Sequence, residues 1–259
     1  MAYLPCPMMP RLPWLKAQGA SFHWVCNPKV HRLLARNPNL DGVSASVPQD
    51  KEFDYWTNMF DLPVYYFTKG AGIPPPAKLA IPQDSLAKAD ALIAPFRSRV
   101  KVGVVWSGSV TYNANHARSF SHREFLPLSE IEGVKLFSLY KGPLLAEFQE
   151  DASNALILDA SGNDTDLADC AAAISRMNLI ITADTAVAHI AGSLGVEVWC
   201  LLHWNPFWLY GHSADWTPWY KRMKLYRQSK PRDWSDVFDR VHSDLDARIW
   251  AENRRTGRG

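Results

Sequence analysis

The stretch that decides the fold is L-I-I-T-A-D-T-A-V-A-H-I-A-G-S-L-G-V-E-V-W-C-L-L, residues 179–202. Leu179, Ile180 and Ile181 form a short apolar run of the kind that is buried on both faces of a parallel sheet, and such a strand should end near Thr182. From Ala186 the spacing turns helical, with Val187, Ile190, Ala191 and Leu194 on one face and Gly195 as the stop. Asp184 and Thr185 stand where an N-cap belongs. A second apolar run, residues 196–202, follows at once. The unit is therefore strand, capped helix, strand, a right-handed crossover whose helix starts at the carboxyl end of the sheet.

That geometry favours a phosphate. The free N–H groups and the dipole of a helix start attract an anion, and the small side chains of Ala183, Ala186 and Ala188 allow close approach. By themselves Asp184 and Thr185 serve equally well as caps. His189, one turn beyond Thr185, reads either as a ligand contact on the same helix side or as a core histidine.

Working outward, residues 102–106 (VGVVW) read as another buried strand. Ser107, Gly108 and Ser109 follow as a small polar turn whose N–H groups can face a ligand. A polar, irregular stretch leads to Arg118 and Ser119. An arginine there forks onto a diphosphate with two parallel donors, or else lies on the solvated surface. Residues 135–140 form the next strand, with Lys141 and Gly142 at its carboxyl end. That lysine offers a point charge to a phosphate leaving group or is simply exposed. A third strand spans 155–158. Asp164, Thr165 and Asp166 then cap a helix running to Ser175, a position that argues against reading D-T-D as a metal-binding carboxylate pair. A closing helix is expected from Trp234 to about Trp250.

The N-terminal part reads as a smaller α/β unit. It offers a short helix at 12–18, a strand at 21–26, a helix capped by Asn27 and running to Arg36, and strands at 43–47 and 54–59. The stiff G-I-P-P-P segment follows, and a helix over 85–97 carries the chain across. We place the boundary near Val100, giving units of residues 1–99 and 100–259.

Composition excludes several classes. At 259 residues the chain buries a sizeable core, and 47% apolar with 21% charged residues is ordinary for a globular protein. A net charge of +2 argues against nucleic acid or a membrane surface as partner. Eleven Trp and nine Tyr are many, and those clustered over 199–226 either stack on a base or sugar or fill the core. Cys6, Cys26, Cys170 and Cys200 lack metal-ligand spacing, and Cys170 and Cys200 read as reduced core thiols. With no apolar run near 18 residues and no secretory leader, a soluble cytoplasmic protein without a transmembrane segment is expected.

Taken together, D-T-A-V-A-H-I-A-G-S-L-G, V-G-V-V-W-S-G-S, the Arg118-Ser119 pair and S-L-Y-K-G resemble glycosyltransferase family nine, the heptosyltransferase-like group. The likeness leans towards the domains that follow tetratricopeptide repeats in bacterial proteins. It covers roughly residues 11–245. The resemblance implies two facing Rossmann-like domains of GT-B type, with the first N-terminally incomplete. It also implies an inverting hexosyl- or heptosyltransferase that needs no metal or other cofactor and takes its sugar from a nucleoside diphosphate donor. Ser107, Gly108, Ser109, Arg118, Ser119, Lys141, Asp184, Thr185, Ala186 and His189 would line that donor. The family's catalytic aspartate sits on a glycine-aspartate loop, where this chain has Tyr3, Leu4, Pro5 and Cys6. The catalytic residue is therefore unassigned, with Glu52, Asp54 and Asp61 the plausible carboxylates of the first unit. Either the chain starts late or the acceptor-side chemistry is lost, which would leave a binding or interaction module without turnover. A different α/β enzyme using the same phosphate geometry is the third reading. In the repeat-linked relatives the segment after Leu202 carries proline, aspartate, tryptophan, arginine, tryptophan. Here Pro206 and Trp208 agree, while Phe207 and Leu209 replace the two charges.

Overall fold

Six parallel strands carry the molecule, and in the computed structural model described here they span β3 (Val100–Val105), β4 (Val134–Ser138), β5 (Ile157–Asp159), β6 (Leu179–Ala183), β7 (Val198–Leu202) and β8 (Met223–Arg227). Their spatial order is β5-β4-β3-β6-β7-β8. The chain winds outward from β3 to one edge, then returns to lie on the other side of β3 and winds to the opposite edge, which is the doubly wound arrangement. The structure describes residues 12–58, 61, 76 and 79–256. Residues 3–6 and most of the proline-rich stretch lie outside them.

Burial explains the sequence pattern. Every residue of β6 and β7 is buried, which is why both strands read as unbroken apolar runs rather than alternating ones. Between them α7 (Ala186–Leu194) packs Val187, Ala188, Ile190 and Ala191 inward. Gly195 ends it at φ +72°, in the left-handed region a side chain would resist. The last helix, α8 (Ser235–Thr256), buries Val237, Val241, Leu245 and Ile249, a stripe of one residue per turn. It outruns the predicted end at Trp250. At the β8 edge, an antiparallel bridge from Trp216 to Lys224 interrupts the exposed row of backbone groups. Cys170 and Cys200 are buried free thiols, and burial pushes both well above the ordinary thiol value.

The N-terminal residues form α1 (Leu12–Ala17), β1 (His23–Val25), α2 (His31–Leu34) and β2 (Gly42–Ser44), with β1 and β2 paired in parallel. Asn27 accepts a hydrogen bond from the Lys29 N–H as predicted, but Pro28 opens a 3-10 turn before the short α2. Both strands are shorter than expected, and the strand predicted over 54–59 does not form across 54–58. Those residues are all exposed, Tyr55 and Trp56 at 92% and 91%, so nothing offers a ladder or a face to bury. Met59 lies outside the described residues.

Helix α3 (Gln83–Ile93) packs on α6 (Leu167–Ser175), not on β1 and β2. Ser85 Oγ donates to Asp169 Oδ1 at 2.6 Å, and Lys88 Nζ reaches Asp169 Oδ2 at 3.1 Å. Arg32 of α2 completes this joint, reaching Asp84 at 2.6 Å and Asp166 at 3.3 Å. Asp166 is also the N-cap of α6 and accepts from the N–H groups of Ala168 and Asp169. No helix among the described residues is long and apolar enough to cross a membrane.

Candidate active site at the strand reversal

In a doubly wound sheet, ligands bind outside the carboxyl ends of the strands where the winding reverses. Here that point lies between β3 and β6. The loop after β3 closes on itself around Asn115, whose Nδ2 donates to Ser107 Oγ at 2.9 Å. Asn115 Oδ1 accepts from Gly108 N at 3.2 Å and from Arg118 Nε at 3.1 Å. Ser119 Oγ donates to the Asn115 carbonyl at 2.6 Å and lies 2.9 Å from Ser107 Oγ. A Cβ on Gly108 would stand 2.4 Å from Arg118 Nη2 and 2.9 Å from Asn115 Oδ1, so a side chain here would push the arginine out of this position. Ser109 sits at the exposed rim, paired with Thr111.

Arg118 crosses the reversal. Its Nη1 donates to the Asp184 carbonyl at 2.7 Å, tying the loop after β3 to the loop after β6, and its Cζ lies 4.7 Å from the Tyr112 ring centroid. The residue is only 6% exposed, yet among the described residues its Nη2 has no hydrogen-bond partner. A buried guanidinium with Nε and Nη1 bonded to the protein keeps its Nη2 donors for a further acceptor such as an anion.

The predicted caps are not made by side chains. Thr185 is the N-cap of α7 by position but makes no side-chain cap bond, because its Oγ1 turns back to Thr182 Oγ1 at 3.1 Å. Asp184 Oδ1 instead accepts from Tyr210 Oη at 3.0 Å. The N–H groups of Ala186 and Val187 consequently have no partner among the described residues. They point with the helix dipole off the carboxyl end of the sheet.

His189 is 3% exposed, stacks on Tyr210 and shares a 3.1 Å hydrogen bond between its Nδ1 and Tyr220 Oη. Burial lowers its pKa, with Asp184 opposing and Arg118 reinforcing the shift. It therefore braces α7 as a neutral ring. Lys141 lies apart from this cluster and donates to the Asp164 carbonyl, on the loop before α6. Near it a cleft of about 240 Å³ is lined by residues including Lys88, Asp159, Asp164 and Asp169. Burial, then the Asp169 charge, raises Asp164 to about 7, and Lys141 opposes that rise.

Three residues of the cluster carried no signal that was read from the sequence. Asn115 stands three residues before Arg118, a one-turn spacing that a polar loop scan could find. His203, half-buried, feels both Asp184 and Arg118, and burial lowers its pKa. Tyr210 reaches Asp184 across 26 residues of chain, a contact with no local signature. Glu52, Asp54 and Asp61 are all exposed. Among the described residues no group of three or more His, Cys, Asp or Glu could hold a metal ion.

No family model matches the chain. By sequence it is 26% identical over 228 residues to protein FlbA of Caulobacter vibrioides. The match takes in 84% of this chain but only 38% of that protein's length. By structure it is similar to the glycosyl transferase family 9 protein of Veillonella parvula, with TM-score 0.59 and 14% identity over 88% of this chain and 84% of that one. It is also similar to the ADP-heptose lipopolysaccharide heptosyltransferase II of E. coli, with TM-score 0.52 and 17% identity over 68% of this chain and 54% of that one. The fold is thus the mixed α/β, parallel-sheet type of these GT-B glycosyltransferases.

Proposed function

We propose that the chain binds a nucleoside diphosphate sugar at the reversal between β3 and β6 and transfers the sugar to an acceptor. The observation that carries this reading is Arg118, buried across the reversal with Nη1 on the Asp184 carbonyl, Nε on Asn115 and Nη2 without a partner among the described residues, next to the start of α7, which has no side-chain cap. Two backbone N–H groups, a helix dipole and a planar fork then converge where a diphosphate would lie. Ser107, Gly108, Ser109 and Ser119 shape the wall, and Thr185 and Ala186 the floor. The fold shared with two transferases, one acting with ADP-heptose, supports the reaction class and makes an adenosine diphosphate sugar the first donor to try.

In such a transfer the sugar–oxygen bond to the diphosphate breaks, and negative charge grows on the departing phosphate. Groups already aimed at that oxygen stabilise it without reorganising. Arg118 and the α7 N–H groups are so placed. His189 and Tyr210 touch no ligand in this reading but fix Asp184 and the helix behind it.

The test is a melting-temperature panel of ADP, UDP and GDP and their hexose conjugates. A ligand bound only by the folded chain at about 100 times its Kd stabilises it by about 2.7 kcal/mol. No shift with any of them up to millimolar concentration refutes the site. Donor turnover measured with and without candidate glycan acceptors separates a transferase from a binding module.

A further inference from the structure

We infer that the aromatic segment after β7, residues 203–210, is the donor-sugar subsite, with the exposed indoles of Trp204 and Trp208 stacking on the apolar face of a pyranose ring. The inference rests on the nucleoside diphosphate reading of the neighbouring reversal and names what lies beyond the phosphates.

Four observations carry it. First, the segment is joined to the candidate site at both ends: His203 lies within the fields of Asp184 and Arg118, and Tyr210 Oη holds the Asp184 carboxylate. Second, it is anchored. Arg227 donates to the carbonyl of its last residue, Tyr210, and to those of Gly211 and Ala214 just beyond it, while Pro206 and Leu209 are buried. Yet on this fixed frame Trp204 and Trp208 remain 56% and 46% exposed. Trp208 is propped by Phe207 and Trp219, at centroid distances of 5.4 and 6.4 Å, and a supported, half-exposed aromatic ring is what stacking requires.

Third, the segment carries no charge. Burial lowers the pKa of His203, and the half-buried Phe207 contributes only apolar surface. A neutral ring fits such a surface, whereas a phosphate or an acidic peptide would find no counter-charge. Fourth, Gln228, 4% exposed, accepts from the Trp204 N–H through Oε1 at 3.0 Å, while its Nε2 has no partner among the described residues. A buried amide donor lacking an acceptor is rare in native chains, and a sugar brings hydroxyl oxygens as well as an apolar face.

Calorimetric titration of the full chain with ADP, UDP and GDP, then with the hexose conjugate of whichever binds, tests the subsite. In Trp208→Ala the conjugate should bind about 3- to 10-fold more weakly while the bare nucleoside diphosphate binds as before. Trp208→Phe should recover most of the loss, and Trp204→Ala, at a still more exposed position, repeats the test if Trp208→Ala folds poorly. Equal weakening of conjugate and bare nucleotide, or no effect of either alanine variant, overturns the subsite and leaves the phosphate site standing. No binding of any nucleoside diphosphate by the unaltered chain overturns both.

Discussion

Arg118 and Lys141 follow neighbouring parallel strands of one sheet, and each reads from the sequence as a cation for a diphosphate, yet the fold treats them in opposite ways. Arg118 is buried, held at its Nε and Nη1 by Asn115 and the Asp184 carbonyl, and left open at Nη2. Lys141 is exposed and donates to the Asp164 carbonyl, beside a cleft that Asp159, Asp164 and Asp169 make acidic. What separates them is the winding of the sheet. The end of β3 borders the reversal, where two loops part and leave room, while the end of β4 lies inside a half where successive loops pack against each other. A cation's role is therefore set by whether its strand borders the reversal.

The largest effect should fall on the acidic flank and on stability. Asp169 is buried, which alone would raise its pKa. Hydrogen bonds from Ser85, Thr165 and Lys88 outweigh this and hold its carboxyl well below the usual range. Asp169→Ala removes a charged acceptor from several donors and should destabilise the chain by about 3 kcal/mol, read by urea unfolding. With its folded pKa depressed, Asp169 contributes stability above the ordinary carboxylate value and loses it as pH falls further. The loss in the variant should therefore shrink in acid. A variant as stable as the parent at pH 7 would mean that the α3–α6 joint is not held by this residue.

Next comes Arg118→Ala, expected to weaken nucleoside diphosphate binding by about 1.5–3 kcal/mol, the range for hydrogen bonds to a charged group. Arg118→Lys should not restore it, because a lysine cannot hold the Asp184 carbonyl and fork onto a ligand together. Titration calorimetry reads both. Rescue by lysine would reduce Arg118 to a point charge and remove the contrast with Lys141.

These contrasts mark how far the sequence could be read. The second sheet was legible because β6 and β7 are buried along their whole length, and β3 over its last four residues, and so appear as apolar runs. Gly195 was legible as a helix stop because its left-handed backbone is a local requirement. Thr185 was legible as the N-cap position, but its side chain's partner was not, because that partner, Thr182, lies on the preceding strand. Tyr210 could not be found at all, since its bond to Asp184 exists only once β7 and the loop after it are in place. Local rules see what a residue prefers; they do not see which distant group arrives first.

A smaller effect is expected at Lys141. As it donates to a backbone carbonyl from an exposed position, Lys141→Ala should change nucleoside diphosphate affinity by less than about 1 kcal/mol. Calorimetry beside Arg118→Ala makes the comparison direct. A loss as large as that of the arginine variant would mean that the lysine leaves Asp164 and swings onto the ligand when one is bound.

The subtlest expectation is a pH dependence carried by Asp164. Burial, with the neighbouring Asp169 charge adding to it, raises its pKa from 3.8 to about 7, while the Lys141 charge pulls the other way. A carboxyl whose folded pKa exceeds its unfolded value holds its proton longer in the folded chain. Its favourable contribution is then complete below the unfolded value and is lost as pH rises through about 7. Asp164→Asn, which keeps the shape and cannot ionise, should accordingly gain stability relative to the parent on going from acid to neutral pH, measured as the difference in unfolding midpoints across that range. The same experiment in Lys141→Ala sharpens the point: without the ammonium the Asp164 proton should be held to still higher pH, so the loss should continue to higher pH and become larger. Parallel curves for Asp164→Asn and the parent would show that solvent reaches this carboxyl freely, and that the acidic flank is no more buried than the exposed lysine beside it.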